Sequence, residues 1–166
     1  MRSASLQLPE TPQFLDTSSN FFVPGAANNS NNVAPLTHND AGTKEQKPMA
    51  LVVDDVADVT EMISLFLQHA GYTVATADSA TAALELAREE AFDVVISDIG
   101  MPGMNGYELV EALRELPDYQ VVPIIAVTGY SMYADRERAI QSGFDAHLTK
   151  PIDPSTLLDL IAELRD

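Results

Sequence analysis

Acidic side chains recur in this chain at the ends of apolar runs. Asp54-Asp55 closes Met49 to Val53, and Asp98 closes a run built from Phe92 and Val94 to Ile96. Thr128 follows Val121 to Val127, and Thr149-Lys150-Pro151 follows Ala146 to Leu148. Brought together, these groups would suit chemistry on a phosphoryl group. At about 4 Å and an effective dielectric near 20, each carboxylate pair costs roughly 4 kcal/mol. Lys150 offsets one charge, and three carboxylates still leave an excess of about two. A divalent cation with oxygen ligands, most simply Mg²⁺, fits the remainder. Such an ion would make the crevice receptive to phosphoryl oxygens, with the Asp98 carboxylate as the nucleophile toward phosphorus.

The groups meet only if the chain delivers them to one edge. Short, unbroken apolar runs are the pattern of strands buried on both faces of a parallel sheet. Strands are expected at Met49 to Val53, Tyr72 to Ala75, around Val94 to Asp98, Val121 to Val127 and Ala146 to Leu148. Between them, Val59, Met62, Ile63, Phe66 and Leu67 recur at helical spacing as far as His69, with Gly71 as the stop. Ser79 caps a second helix through Glu89, and a third runs from Gly106 to about Leu116, ended by Pro117. Asp135 to Ser142 and a segment opened by Pro154 complete the set. Five strand–helix alternations with short connections predict an α/β fold, flavodoxin-like and doubly wound. Its five-stranded parallel sheet has the order 2-1-3-4-5 and helices on both faces. That order sets the ends of the first, third, fourth and fifth strands side by side, at the edge where ligands of such folds bind. The loop after Asp98 carries Pro102, Gly103, Asn105 and Gly106, each a turn residue.

Residues 1–47 have a different texture. Asn28 to Asn32 form a polar tract, and Pro9, Pro12, Pro24 and Pro35 interrupt any regular element. A disordered tail is expected there, and a domain over 48–166. The apolar cluster Phe21-Phe22-Val23-Pro24 reads as a stray patch in a linker. Of the formal net charge of −16, residues 48–166 carry −15, from 21 acids and six bases. That surface repels nucleic acid phosphates, so direct DNA binding is disfavoured, and basic or neutral proteins and cations are the expected partners. The chain has no cysteine, no secretory h-region and no run long enough to span a bilayer, so a cytoplasmic protein is expected.

Four motifs, in order and spacing, resemble the receiver domain of two-component response regulators. They are Val52-Val53-Asp54-Asp55, Ser97-Asp98 through Gly106, Val127-Thr128-Gly129 and Leu148-Thr149-Lys150-Pro151, within about 119 of 166 residues. The run Gly143-Phe144-Asp145-Ala146-His147-Leu148 is similar to receivers of hybrid sensor kinases. The resemblance implies that Asp98 accepts a phosphoryl group from a phosphohistidine of a histidine kinase or phosphotransfer protein. It implies Mg²⁺ held by Asp55, Asp98 and the Gly100 carbonyl, with Asp54 acting largely through metal-bound water. It further implies that Lys150 contacts the phosphoryl group ahead of a cis Lys150–Pro151 bond, and that Thr128 turns its hydroxyl to a phosphoryl oxygen. The His147 ring would rotate inward behind Thr128. The helix around Arg136 to Ile140, the fifth strand and the last helix would then form a changed face for a downstream target protein.

Two positions depart from the family pattern. His147 replaces the usual Tyr or Phe with a smaller, more polar switch ring, and Val56 stands where many receivers have a polar residue. Tyr130, two residues past Thr128, is expected to screen the phosphoryl group from water and slow self-dephosphorylation. The chain ends at Asp166, so a stand-alone receiver is expected, one that is not an enzyme beyond its own phosphorylation and dephosphorylation. A receiver-like scaffold that is never phosphorylated is the chief alternative. A flavodoxin-like electron carrier is disfavoured because Asp54-Asp55 would repel its phosphate. A metal-dependent phosphatase is disfavoured because Gly100 stands where such enzymes place a second acid.

Overall fold

The computed structural model describes residues 45–129 and 133–166. Most of the expected tail therefore lies outside the described residues, as does Tyr130, and residues 45–47 form neither helix nor strand. In chain order the elements are β1 (Met49–Val53), α1 (Ala57–His69), β2 (Thr73–Ala77), α2 (Ala80–Glu89), β3 (Val94–Asp98) and α3 (Gly106–Glu115). They continue with a 3-10 turn (Pro117–Tyr119), β4 (Ile124–Thr128), α4 (Tyr133–Ser142), β5 (Ala146–Thr149) and α5 (Pro154–Arg165). The strands form one parallel sheet in the order β2-β1-β3-β4-β5.

The period of two along each strand divides the core. Leu51 and Val53 of β1 face one way, with Val95, Ile124 and Ala126, onto Ala83 and Leu84 of α2, Leu109 and Leu113 of α3, and Ala139 of α4. Ala50 and Val52 face the other way, with Val94, Ile96, Ile125 and Val127, onto Ile63 and Leu67 of α1 and Leu157 and Ile161 of α5. Both faces are covered, which is why the central strands read as unbroken apolar runs.

The helix ends follow from local chemistry. Ser79 Oγ accepts from the Ala82 amide at the start of α2. Asn105 and Glu108 form a reciprocal capping box at the start of α3. Asp153 caps α5 through the Thr156 amide, and Pro154 occupies the first turn. Several boundaries differ from expectation: β2 runs Thr73–Ala77 rather than Tyr72 to Ala75, α4 begins at Tyr133 rather than Asp135, β5 extends to Thr149, and β4 begins at Ile124, not Val121. Pro123 has no amide to give a ladder, the Val122 carbonyl is taken by Arg114, and Val121 is 90 % exposed. The 3-10 turn after Pro117 is a second feature absent from the sequence reading. It is fixed by the buried Tyr119 ring, whose hydroxyl donates to the Glu90 carbonyl at 2.7 Å.

Candidate functional site

Each site residue stands at the carboxyl end of a strand. Asp54 follows β1 and is 2 % exposed; Asp98 is the last residue of β3 and is 7 % exposed. Thr128 ends β4 and is buried, while Lys150 follows β5, its amide donating to the Thr128 carbonyl at 2.8 Å. The Lys150–Pro151 peptide is cis, as the motif implied. Adjacent strands in register therefore bring groups separated by up to 96 residues into one crevice, lined by Asp55, Val56, Asp98, Gly100, Thr128, Gly129 and Lys150.

Lys150 Nζ lies 2.7 Å from Asp54 Oδ2 and 3.6 Å from Asp98 Oδ1. Asp54 Oδ1 accepts from the Val56 amide at 2.9 Å, so both oxygens of this buried carboxylate are engaged. Asp55 is exposed, and one carboxylate oxygen from each of Asp54, Asp55 and Asp98 lies within 4.8 Å of the others. Burial raises the Asp98 carboxyl above its ordinary value, and Asp54 adds to that. Lys150 and the amides of Ile99 and Gly100 pull it back only in part. Burial alone would lower the Lys150 ammonium. The hydrogen bond to Asp54 and the charges of Asp98 and Asp54 outweigh it, so the group is held above its ordinary value and stays charged. One ammonium against three carboxylates leaves the crevice short of positive charge. Its donors are all oxygen, which suits a hard divalent cation such as Mg²⁺.

The structure thus gathers Asp54, Asp55, Asp98, Gly100, Thr128 and Lys150 into one place. His147 lies on β5 opposite Ala126 and is partly buried, two strands from Asp98 and three from Asp54-Asp55. Val56, apolar and 48 % exposed, contributes its backbone amide to Asp54. Sequence reasoning gave no role to Ser97, whose buried Oγ donates to the Asp98 carbonyl at 2.9 Å. A hydroxyl inside an apolar strand was the available signal.

Residues 50–162 match the response regulator receiver domain family. The chain belongs to that family. Among curated relatives, this receiver is 41% identical over 113 residues to an uncharacterized 14.6 kDa protein of Leptolyngbya boryana, an alignment covering 68% of this chain and 86% of that one. It is 37% identical over 115 residues to the response regulator Rre1 of Synechocystis, covering 69% of this chain but 50% of the relative. The receiver also resembles 13% of the sensor protein GacS of Pseudomonas syringae, at 33% identity over 117 residues, or 69% of this chain. Among solved structures it superposes on the chemotaxis response regulator CheY4 of Vibrio cholerae with a TM-score of 0.68 and 36% identity, covering 71% of this chain and 98% of that one. A receiver domain of a sensor histidine kinase from Pseudomonas aeruginosa, described with magnesium coordinated in its active site cleft, gives a TM-score of 0.67 at 26% identity. There the coverage is 72% of this chain and 98% of the other. Among the described residues no helix is long and apolar enough to cross a membrane.

Proposed function

We propose that this receiver accepts a phosphoryl group on Asp98 from the phosphohistidine of a histidine kinase or phosphotransfer protein, in a Mg²⁺-dependent step. The aspartyl phosphate then shifts the α4–β5–α5 face toward a form bound by a target protein. The observation that carries this reading is the convergence of three carboxylate oxygens within 4.8 Å, with Lys150 Nζ 2.7 Å from one acid and 3.6 Å from another. In the transfer, an Asp98 carboxylate oxygen bonds to phosphorus as the phosphorus–nitrogen bond breaks. The electron pair stays on the nitrogen, and with its other ring nitrogen protonated the imidazole leaves as the neutral base.

When bound, Mg²⁺ supplies neutralisation of the phosphoryl oxygens. Asp55, Asp98 and the Gly100 carbonyl would hold it, with Asp54 acting through water. Lys150 exchanges part of its contact with the acids for a phosphoryl oxygen, and Thr128 donates its hydroxyl to another. His147 then moves behind Thr128 and passes the change to the outer face as a shift between two conformers. The protein turns over no separate substrate, and it works where kinases present phosphohistidine, in the cytoplasm.

The test is incubation with acetyl phosphate and Mg²⁺, followed by intact mass. Wild type should gain one phosphoryl group, stable in acid and labile in base, and Asp98→Asn should gain none. Beryllofluoride with Mg²⁺ should shift amide resonances of α4 and β5 in wild type alone. A wild type that gains no mass, with Mg²⁺ present, would sink the phosphoacceptor reading and leave an unphosphorylated scaffold.

A further inference from the structure

Asp98 is held by its backbone as well as by its side chain. Ser97 Oγ donates to its carbonyl oxygen from one side. Gly106, the first residue of α3, packs on the same peptide from the other. The Gly106 amide donates to the Ile99 carbonyl at 2.9 Å, an oxygen that also accepts from the Met101 amide at 3.1 Å. A Cβ at position 106 would overlap the Asp98 carbonyl oxygen and stand 2.7 Å from the Ile99 Cα and 3.1 Å from the Asp98 carbonyl carbon. All three are backbone atoms, so no side chain can rotate away to make room. Gly100 and Gly103, in the same loop, have nothing within 4 Å of that position.

We infer that Gly106 is a positioning residue for the chemistry at Asp98, an inference that rests on the phosphoacceptor reading. Its missing side chain lets the first turn of α3 press against the Asp98–Ile99 peptide. The Asp98 carboxylate lies immediately before that peptide, and the Gly100 carbonyl lies just after it. Pushing the peptide moves both together relative to Asp54, Asp55 and Lys150, which other strands hold in place. The capping box between Asn105 and Glu108 fixes the shape of the helix start, and Tyr107, Leu109, Val110 and Leu113 pack α3 into the core, so the helix cannot simply retreat. A misplacement of about 1 Å costs on the order of a hundredfold in a rate set by geometry.

The experiment measures two quantities, the Mg²⁺ dissociation constant from amide-shift titration and the rate of phosphorylation by acetyl phosphate. Both are compared in wild type, Gly106→Ala and Gly71→Ala, at a urea-verified temperature where each is folded. Gly71 sits in the turn before β2, at the opposite edge of the sheet, with φ +95°, so alanine there strains the fold without touching the site. Gly71→Ala should lose stability yet keep both quantities close to wild type. Gly106→Ala should weaken Mg²⁺ binding at least about tenfold and slow phosphorylation by on the order of a hundredfold. If Gly106→Ala does not fold, Asn105→Ala loosens the same helix start, and should weaken Mg²⁺ a few-fold while Gly71→Ala does not. A folded Gly106→Ala that matches wild type in both quantities overturns the inference, and so does such an Asn105→Ala where it carries the test. A wild type that takes up neither Mg²⁺ nor phosphoryl fails the reading beneath it, before any substitution is compared.

Discussion

Burial is the largest influence on the Asp98 carboxyl and raises it above its ordinary 3.8; Lys150 lowers it and Asp54 raises it without reversing that direction. The folded chain therefore keeps this proton to higher pH than the unfolded chain does. Stability from this group falls as pH climbs through the interval between 3.8 and the raised value, and above it the charged carboxylate opposes folding. In metal-free protein at pH 7, Asp98→Asn should thus be more stable than wild type. The gap should close as the pH falls below that interval. Adding Mg²⁺ should raise the wild-type midpoint and leave the variant nearly unmoved. Urea unfolding of both proteins across pH, with and without Mg²⁺, reads all three effects. The same residues were legible in the sequence because Asp54, Asp98, Thr128 and Lys150 each end a strand. A one-dimensional pattern locates such endpoints well. For Ser97 the hydroxyl inside an apolar strand was visible but its role was not, since its partner is a backbone oxygen that no residue type announces.

At the scale of elements, Arg114 ties together the end of α3, the 3-10 turn, the approach to β4 and the α4–β5 connection. Its guanidinium donates to the carbonyls of Tyr119, Val122 and Gly143, and pairs with Asp145 at 2.7 Å. Asp145 in turn accepts from the Ile124 amide at 2.8 Å, starting β4. Arg114→Ala would strand three carbonyls and a partly exposed acid, so urea unfolding should show a loss of roughly 3 kcal/mol. Arg114→Lys should recover little of it, because an ammonium cannot span this planar fork. Phosphorylation rates at temperatures where the variant is folded should stay near wild type, since the cluster lies at the amino edge of the sheet. Here the sequence reading ran out. Val121 and Val122 look like strand residues by type, yet the Arg114 contact and Pro123 keep them out of the ladder. Helix starts were clearer because Ser79, Asn105 and Asp153 cap within a few residues of themselves.

For the molecule as a whole, charge sets how it meets others. With a formal −15 on residues 48–166, a phosphodonor protein presenting basic groups should associate faster at low ionic strength. Acetyl phosphate, itself an anion, should be repelled by the same field. Raising NaCl from 50 to 500 mM should therefore slow transfer from a phosphohistidine protein while leaving the acetyl phosphate reaction unchanged or faster. Equal slopes for the two donors in stopped-flow measurements would contradict the steering argument. The alternation of side chains along the strands has a last consequence. One apolar layer holds α2, α3 and α4, the other holds α1 and α5, and the sheet lies between them like a partition. Rearrangement among the helices on one side reaches those on the other through the strands or around their edge. Either layer can therefore drift during evolution toward a new partner while the opposite one keeps its packing.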